Sequence, residues 1–89
     1  MSAPERAGDM TSKRALGAAI VYHRERANLT TAQAARRAKL SPQALHAIER
    51  GQAEPHWGTT RRIAPALGVG HWQIAEAAER LERGEKLPA

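Results

Sequence analysis

Residues 30–51 read TTAQAARRAKLSPQALHAIERG, and their order prescribes two short helices joined by a tight turn. Thr30 has a hydroxyl suited to capping a helix, and Gln33, three residues later, reaches back to the capping residue's own amide. The first helix therefore starts near Thr31. Its inward positions are Ala34, Ala35 and Ala38, whose small side chains let a second helix cross closely and steeply. Lys39, Leu40 and Ser41 form the turn, with Leu40 as its apolar plug. Ser41 caps the next helix, and Pro42 takes the first helical position, where its missing N–H costs nothing. Leu45 and Ile48 sit three apart on the buried side, and Gly51 stands where a left-handed residue ends a helix. What stays outward is Pro42, Gln43, His46, Ala47 and Arg50. A pair of helices held this way is a helix-turn-helix over residues 31–50, and it points to DNA.

The rest of the chain fits around this pair. Residues 1–11, MSAPERAGDMT, lack periodicity and read as a flexible arm. A first helix is predicted over residues 12–27, with Leu16, Ile20, His23 or Arg24, and Ala27 on one side. Asn28 suits the left-handed turn that ends it. After a loop at 52–56 containing Pro55, a fourth helix covers residues 57–67, with Trp57 as a core anchor and Thr60 as a weaker core residue. Pro65 near its end is expected to kink or shorten it. A fifth helix spans residues 71–83, with Ile74, Ala78 and Leu81 on one stripe and Trp72 beside it. The helix-turn-helix domain is thus placed at 12–84, with a short tail at 85–89.

Eighty-nine residues make one small all-α domain with little room for a core beyond a compact bundle. The net charge is +5, unevenly placed. Residues 11–62 hold ten Lys and Arg against three Glu, a local charge of +7, while each flank carries −1. The positive field coincides with the motif and favours a polyanion, with affinity that falls steeply as salt rises. Without cysteine there is neither a disulfide framework nor a thiolate zinc site. His23, His46, His56 and His71 have no familiar metal-ligand spacing. Ser2, Ser12 and Ser41 lie without a visible base and orienting acid. The sequence thus offers no catalytic arrangement, metal site or cofactor motif. With no apolar run of membrane-spanning length and no signal-peptide core, a cytoplasmic protein is expected.

The ordered residues Leu16-Gly17, Ile20, Arg24, Leu29-Thr30, Ala34-Ala35, Ala38, Leu40-Ser41, Leu45, Ile48-Glu49-Arg50-Gly51, Pro55, Ile63-Ala64 and Leu67-Gly68-Val69 resemble the Cro/C1-type (Xre-like) helix-turn-helix family of phage and bacterial repressors. The resemblance implies a compact five-helix, lambda repressor-like DNA-binding domain with the motif at helices 2 and 3. It implies a base-reading role for Gln43, whose carboxamide can pair with adenine N6 and N7 at once. Pro42, Ala44 and Ala47 offer apolar surface to a thymine methyl, and His46 a donor to base or phosphate. It places a phosphate contact at Thr31, the start of helix 2, although the family usually has glutamine there. Arg36, Arg37, Lys39, Arg50, Gln52, Arg61 and Arg62 are further phosphate candidates. Arg24 and Glu49 match an ion pair linking helix 1 to the end of the recognition helix. Lys39 departs from a common glycine, and His23 from a usual apolar residue.

The function implied is a regulator of transcription, a repressor binding double-stranded DNA through the major groove as a homodimer on a palindromic site. Without a separate oligomerisation domain, the dimer is assigned to helix 5 through Trp72, Ile74, Ala78 and Leu81. The same fold serves antitoxins and phage proteins of the Cro or excision-control kind, so a toxin or the transcription machinery stays open as a partner. The alternative from another class is a protein-interaction module that has lost DNA binding.

Overall fold

The computed structural model describes residues 12–89, so the arm at 1–11 lies outside the described residues. Five helices follow in order: α1 (Ser12–Arg26), α2 (Thr31–Ala38), α3 (Pro42–Glu49), α4 (Trp57–Ala66) and α5 (His71–Glu82). Local chemistry sets their ends. Asn28 takes φ 59° and closes α1 one residue before the expected Ala27. Thr30 accepts from the Gln33 amide at 3.1 Å while the Gln33 side chain accepts from the Thr30 amide at 2.9 Å, which completes both halves of the box. Lys39 ends α2 at φ 60°, ψ 45°, holding the left-handed conformation usually left to glycine. Ser41 accepts from the Ala44 amide at 3.1 Å, and Pro42 occupies the first position of α3. Pro65 falls in the last turn of α4, which ends at Ala66, and the Leu67 amide resumes bonding to the Ile63 carbonyl at 3.1 Å.

The core is built from small side chains around a few large ones. Ile20, Leu45, Ile63 and Ile74 are the largest fully buried residues, and Ala15, Ala19, Ala34, Ala35, Ala38 and Ala64 fill between them. α1 packs most extensively on α5, and α2 is held between α3 and α4. Gly17 is what brings α1 onto the end of α3. A Cβ built there meets the Ile48 carbonyl oxygen and lies 2.6 Å from that of Glu49, so the two backbones touch with no side chain between them. Beyond α5, Gly84 turns left-handed and the chain folds back. Leu87 packs on the core, the Tyr22 hydroxyl donates to the Pro88 carbonyl at 2.7 Å, and Arg26 donates to the Ala89 carbonyl at 2.8 Å.

Two expectations change. Trp57 is 64 % exposed and is not a core anchor. It opens α4 at the margin of the bundle, where its ring meets His71 edge-on at 4.6 Å, and Thr60 one turn later takes the buried place. Thr60 is accommodated because its hydroxyl donates back to the His56 carbonyl at 3.1 Å. Ile74 is fully buried and cannot belong to a dimer surface, since its side chain is already part of the core that α5 shares with α1 and α4.

Two glycine substitutions separate close approach from helix propensity. Gly17→Ala is expected to destabilise the domain by about 1–3 kcal/mol, lowering the thermal midpoint by roughly 5–20 °C. At Gly58 in α4, a Cβ has nothing within 4 Å. Gly58→Ala is therefore expected to be neutral or to stabilise by up to about 1 kcal/mol. Thermal melts followed by circular dichroism read both.

Candidate nucleic-acid interface

The motif is anchored by one carboxylate. Glu49, at the last turn of α3, has a side chain only 5 % exposed and receives two donors from different helices. Arg24 Nε of α1 donates to Oε2 at 2.7 Å, and the Thr31 hydroxyl of α2 donates to Oε1 at 3.0 Å. Arg24 also donates through Nη1 to the Leu29 carbonyl at 2.9 Å, which fixes the loop entering α2. A charge-assisted bond of this length is among the strong ones, and a buried acid beside a helix carboxyl end needs such partners.

Thr31 therefore turns its hydroxyl proton inward, and a phosphate contact through that hydroxyl is incompatible with the Glu49 bond. The phosphate expectation for Thr31 then rests on its main-chain N–H at the start of α2. Arg62 also acts first as a fastener. Its Nε donates to the Ala38 carbonyl at 2.9 Å, tying α4 to the carboxyl end of α2. Neither bond was legible in local sequence, because the partners lie 18 and 24 residues apart.

On the outer side, α3 presents Pro42, Gln43, Ala44 and His46 to solvent, with Ala47 half-buried. Leu45 and Ile48 point into the core and set that orientation. Arg36, Arg37, Lys39, Arg50, Gln52 and Arg61 are exposed around it. At the far end, Gly51 (φ 73°) closely meets the first turn of α1, since a Cβ there falls 2.7 Å from Arg14 Cγ and 3.0 Å from its Cα. Arg14 and Lys13 thus extend the basic surround past the end of α3. Of the residues expected on α5, Trp72 is exposed while Ala78 and Leu81 are half-buried against the core.

An exposed short helix, fixed by its predecessor across a three-residue turn within a basic surround, defines a helix-turn-helix DNA-binding domain. The family described as a helix-turn-helix domain matches residues 15–77, and the chain belongs to that family, as its resemblance to Cro/C1-type domains implied. It is similar to a crystal structure of the clp gene regulator ClgR from Corynebacterium glutamicum, with a TM-score of 0.81 and 26 % identity over 90 % of this chain and 81 % of that one. A second ClgR structure from C. glutamicum gives a TM-score of 0.76 and 27 % identity over 80 % of this chain and 92 % of the other. No curated protein matches. Among the described residues, no helix is long and apolar enough to cross a membrane.

Removing one partner of the carboxylate leaves the rest stranded. Arg24→Ala is expected to cost about 3–5 kcal/mol. Thr31→Val, which removes only a neutral donor, is expected to cost about 1 kcal/mol. A double-mutant cycle in urea should show the two effects coupled, because both act on the same carboxylate.

Proposed function

We propose that the protein is a sequence-specific repressor of transcription that lays α3 in the major groove of double-stranded DNA. Transcription regulation fits the family and the similarity to a clp gene regulator. The observation that carries the specific reading is the division of α3. Its inner side is locked by Leu45, Ile48 and the Glu49 bonds, while Gln43 stands free at its amino-terminal end, the end that reaches base edges. Gln43 reads an adenine, His46 donates to a base or phosphate, and Pro42, Ala44 and Ala47 meet thymine methyls or simply allow a close approach. Arg36, Arg37, Lys39, Arg50, Gln52 and Arg61 hold the phosphates, with the Thr31 amide at the start of α2 and a subordinate contribution from Arg62.

One strong base reader amid small side chains gives sparse direct readout, so DNA shape carries part of the specificity. A second copy on a palindromic site supplies the remainder. The setting is the bacterial cytoplasm, where the operator is accessible.

Selection of bound sequences from random duplex DNA, run with the wild type and with Gln43→Ala, tests this. The wild type should enrich a two-fold symmetric site, and the variant should lose preference at one position in each half, a change of about 1–3 kcal/mol per base pair. An unchanged site in the variant would remove Gln43 as a reader, and no binding at low salt would favour a protein-interaction module. Arg36→Gln should weaken all sequences alike and flatten the salt dependence by about 0.9 in log–log slope for each phosphate contact it makes.

A further inference from the structure

Where α1, α4 and α5 meet the loop that leaves α3, the surface opens into a cleft of 310 Å³. Leu16, Ile74 and Ala75 give it an apolar lining, with Pro55 and the indole of Trp57 beside them. No Lys or Arg lines it, although the chain carries +5. The charged residue that does is Glu54, whose exposed carboxylate has no ion-pair partner among the described residues.

Two further observations bear on an occupant. Trp57 is 64 % exposed, so much of its ring is free. His71 lines the same cleft, meets the Trp57 ring at 4.6 Å, and keeps its Nδ1 buried without a hydrogen-bond partner. A polar atom in that state has lost its hydration and gained nothing for it, so such atoms are rare in a finished core. Among the described residues no other side-chain atom shares it.

We propose that the cleft binds a small organic amine, its ammonium held between the Glu54 carboxylate and the Trp57 ring and its hydrocarbon body lying on Leu16, Ile74 and Ala75. A carboxylate and the negative face of an indole attract the same sign of charge, so the two act together on a cation. An anion meets repulsion from both, and a neutral ligand gains only the apolar lining. The orphaned Nδ1 of His71 is a third point of attachment, an acceptor in the Nε2–H tautomer that an ammonium proton satisfies once the imidazole turns toward the cleft. Size narrows the class. Ligand pockets run from about 300 to 1,000 Å³, and one at the lower end suits an arylalkylamine of about ten heavy atoms, with affinity on the order of millimolar.

The test titrates three probes of similar shape, phenethylamine, phenethyl alcohol and hydrocinnamate, into the full chain without DNA. Salt at about 0.15 M screens the repulsion of a cation by the net charge. Amide and methyl NMR spectra read where each probe goes. Phenethylamine should saturate with a Kd on the order of 1 mM, shifting the Trp57 indole N–H and the methyls of Leu16, Ile74 and Ala75 while the Trp72 indole stays in place. The alcohol should bind the same residues about three- to tenfold more weakly, and hydrocinnamate more weakly still. Glu54→Gln should erase most of the preference for the amine and leave the alcohol within about twofold of its wild-type affinity. Trp57→Leu, checked for folding by its thermal melt, should weaken the amine more than the alcohol; if it unfolds, the surface change Glu54→Gln decides alone. Shifts that spread over the surface without saturating overturn the proposal, as do equal affinities for amine and alcohol, tightest binding by hydrocinnamate, or a preference for the amine that survives Glu54→Gln. Every readout is taken on the free chain, so the amine site stands or falls apart from DNA binding.

Discussion

The carboxylate of Glu49 is the point on which the motif turns, because its two oxygens are claimed by two different helices. Arg24 reaches it from α1 and Thr31 from α2, so the carboxyl end of α3 is fixed relative to both. Gly17 lies seven residues before Arg24, two helical turns away and on the same side of α1. It lets the α1 backbone rest on the carbonyls of Ile48 and Glu49. The polar clamp and the close approach therefore belong to one contact. Arg14, three residues earlier on that stripe, continues it to Gly51. α1 acts as a splint along the end of α3, and the amino-terminal half of α3 is left clear.

This arrangement also resolves an electrostatic conflict. An acid at the carboxyl end of a helix opposes the helix dipole, and on a surface facing phosphate it would repel the ligand. Burying Glu49, the single acid between residues 31 and 50, under a guanidinium cancels its charge and keeps it from opposing Arg36, Arg37, Lys39 and Arg50 on the outside. Desolvating the pair costs free energy, so the clamp is better understood as fixing geometry than as a source of net stability. Stability has to come from the alanine-rich core, where Ala34, Ala35 and Ala38 let α2 sit close to its neighbours.

What was legible in the sequence was local. The box of Thr30 and Gln33, the cap by Ser41 with Pro42 after it, and the left-handed ends at Asn28 and Gly51 each involve residues a few positions apart, so the chain spells them directly. Lys39 shows that resemblance to a family can reveal a backbone constraint even where the residue departs from it. Contacts across the fold were not spelled. The Arg24–Glu49 pair was accessible only through resemblance, and the bonds of Thr31 and Arg62 to distant partners carried no local signal. Trp57 misled because it shares the inward spacing of Thr60, Ile63 and Leu67, while its place at the first residue of α4 puts it beyond the edge of the bundle. Ile74 misled in the opposite way, since a stripe on a terminal helix reads the same whether it faces the core or a second copy.

Those two misplacements are linked by the geometry of a small bundle. A core built from alanines is thin, and α5 must turn its few large residues inward to close it, so Ile74 is consumed and Ala78 and Leu81 follow it part of the way. Among the described residues, the large apolar side chains left exposed then sit where the bundle ends, at the start of α4 and the start of α5. Large aromatic groups are stable there only as a compromise, half against the protein and half in water. Because the same junction follows directly from α3 through a short loop, surface left over by the limits of the core lies a short stretch of chain beyond α3. Small size and alanine-rich packing thus push the large exposed side chains of the described residues, Trp57 and Trp72, to the ends of the bundle.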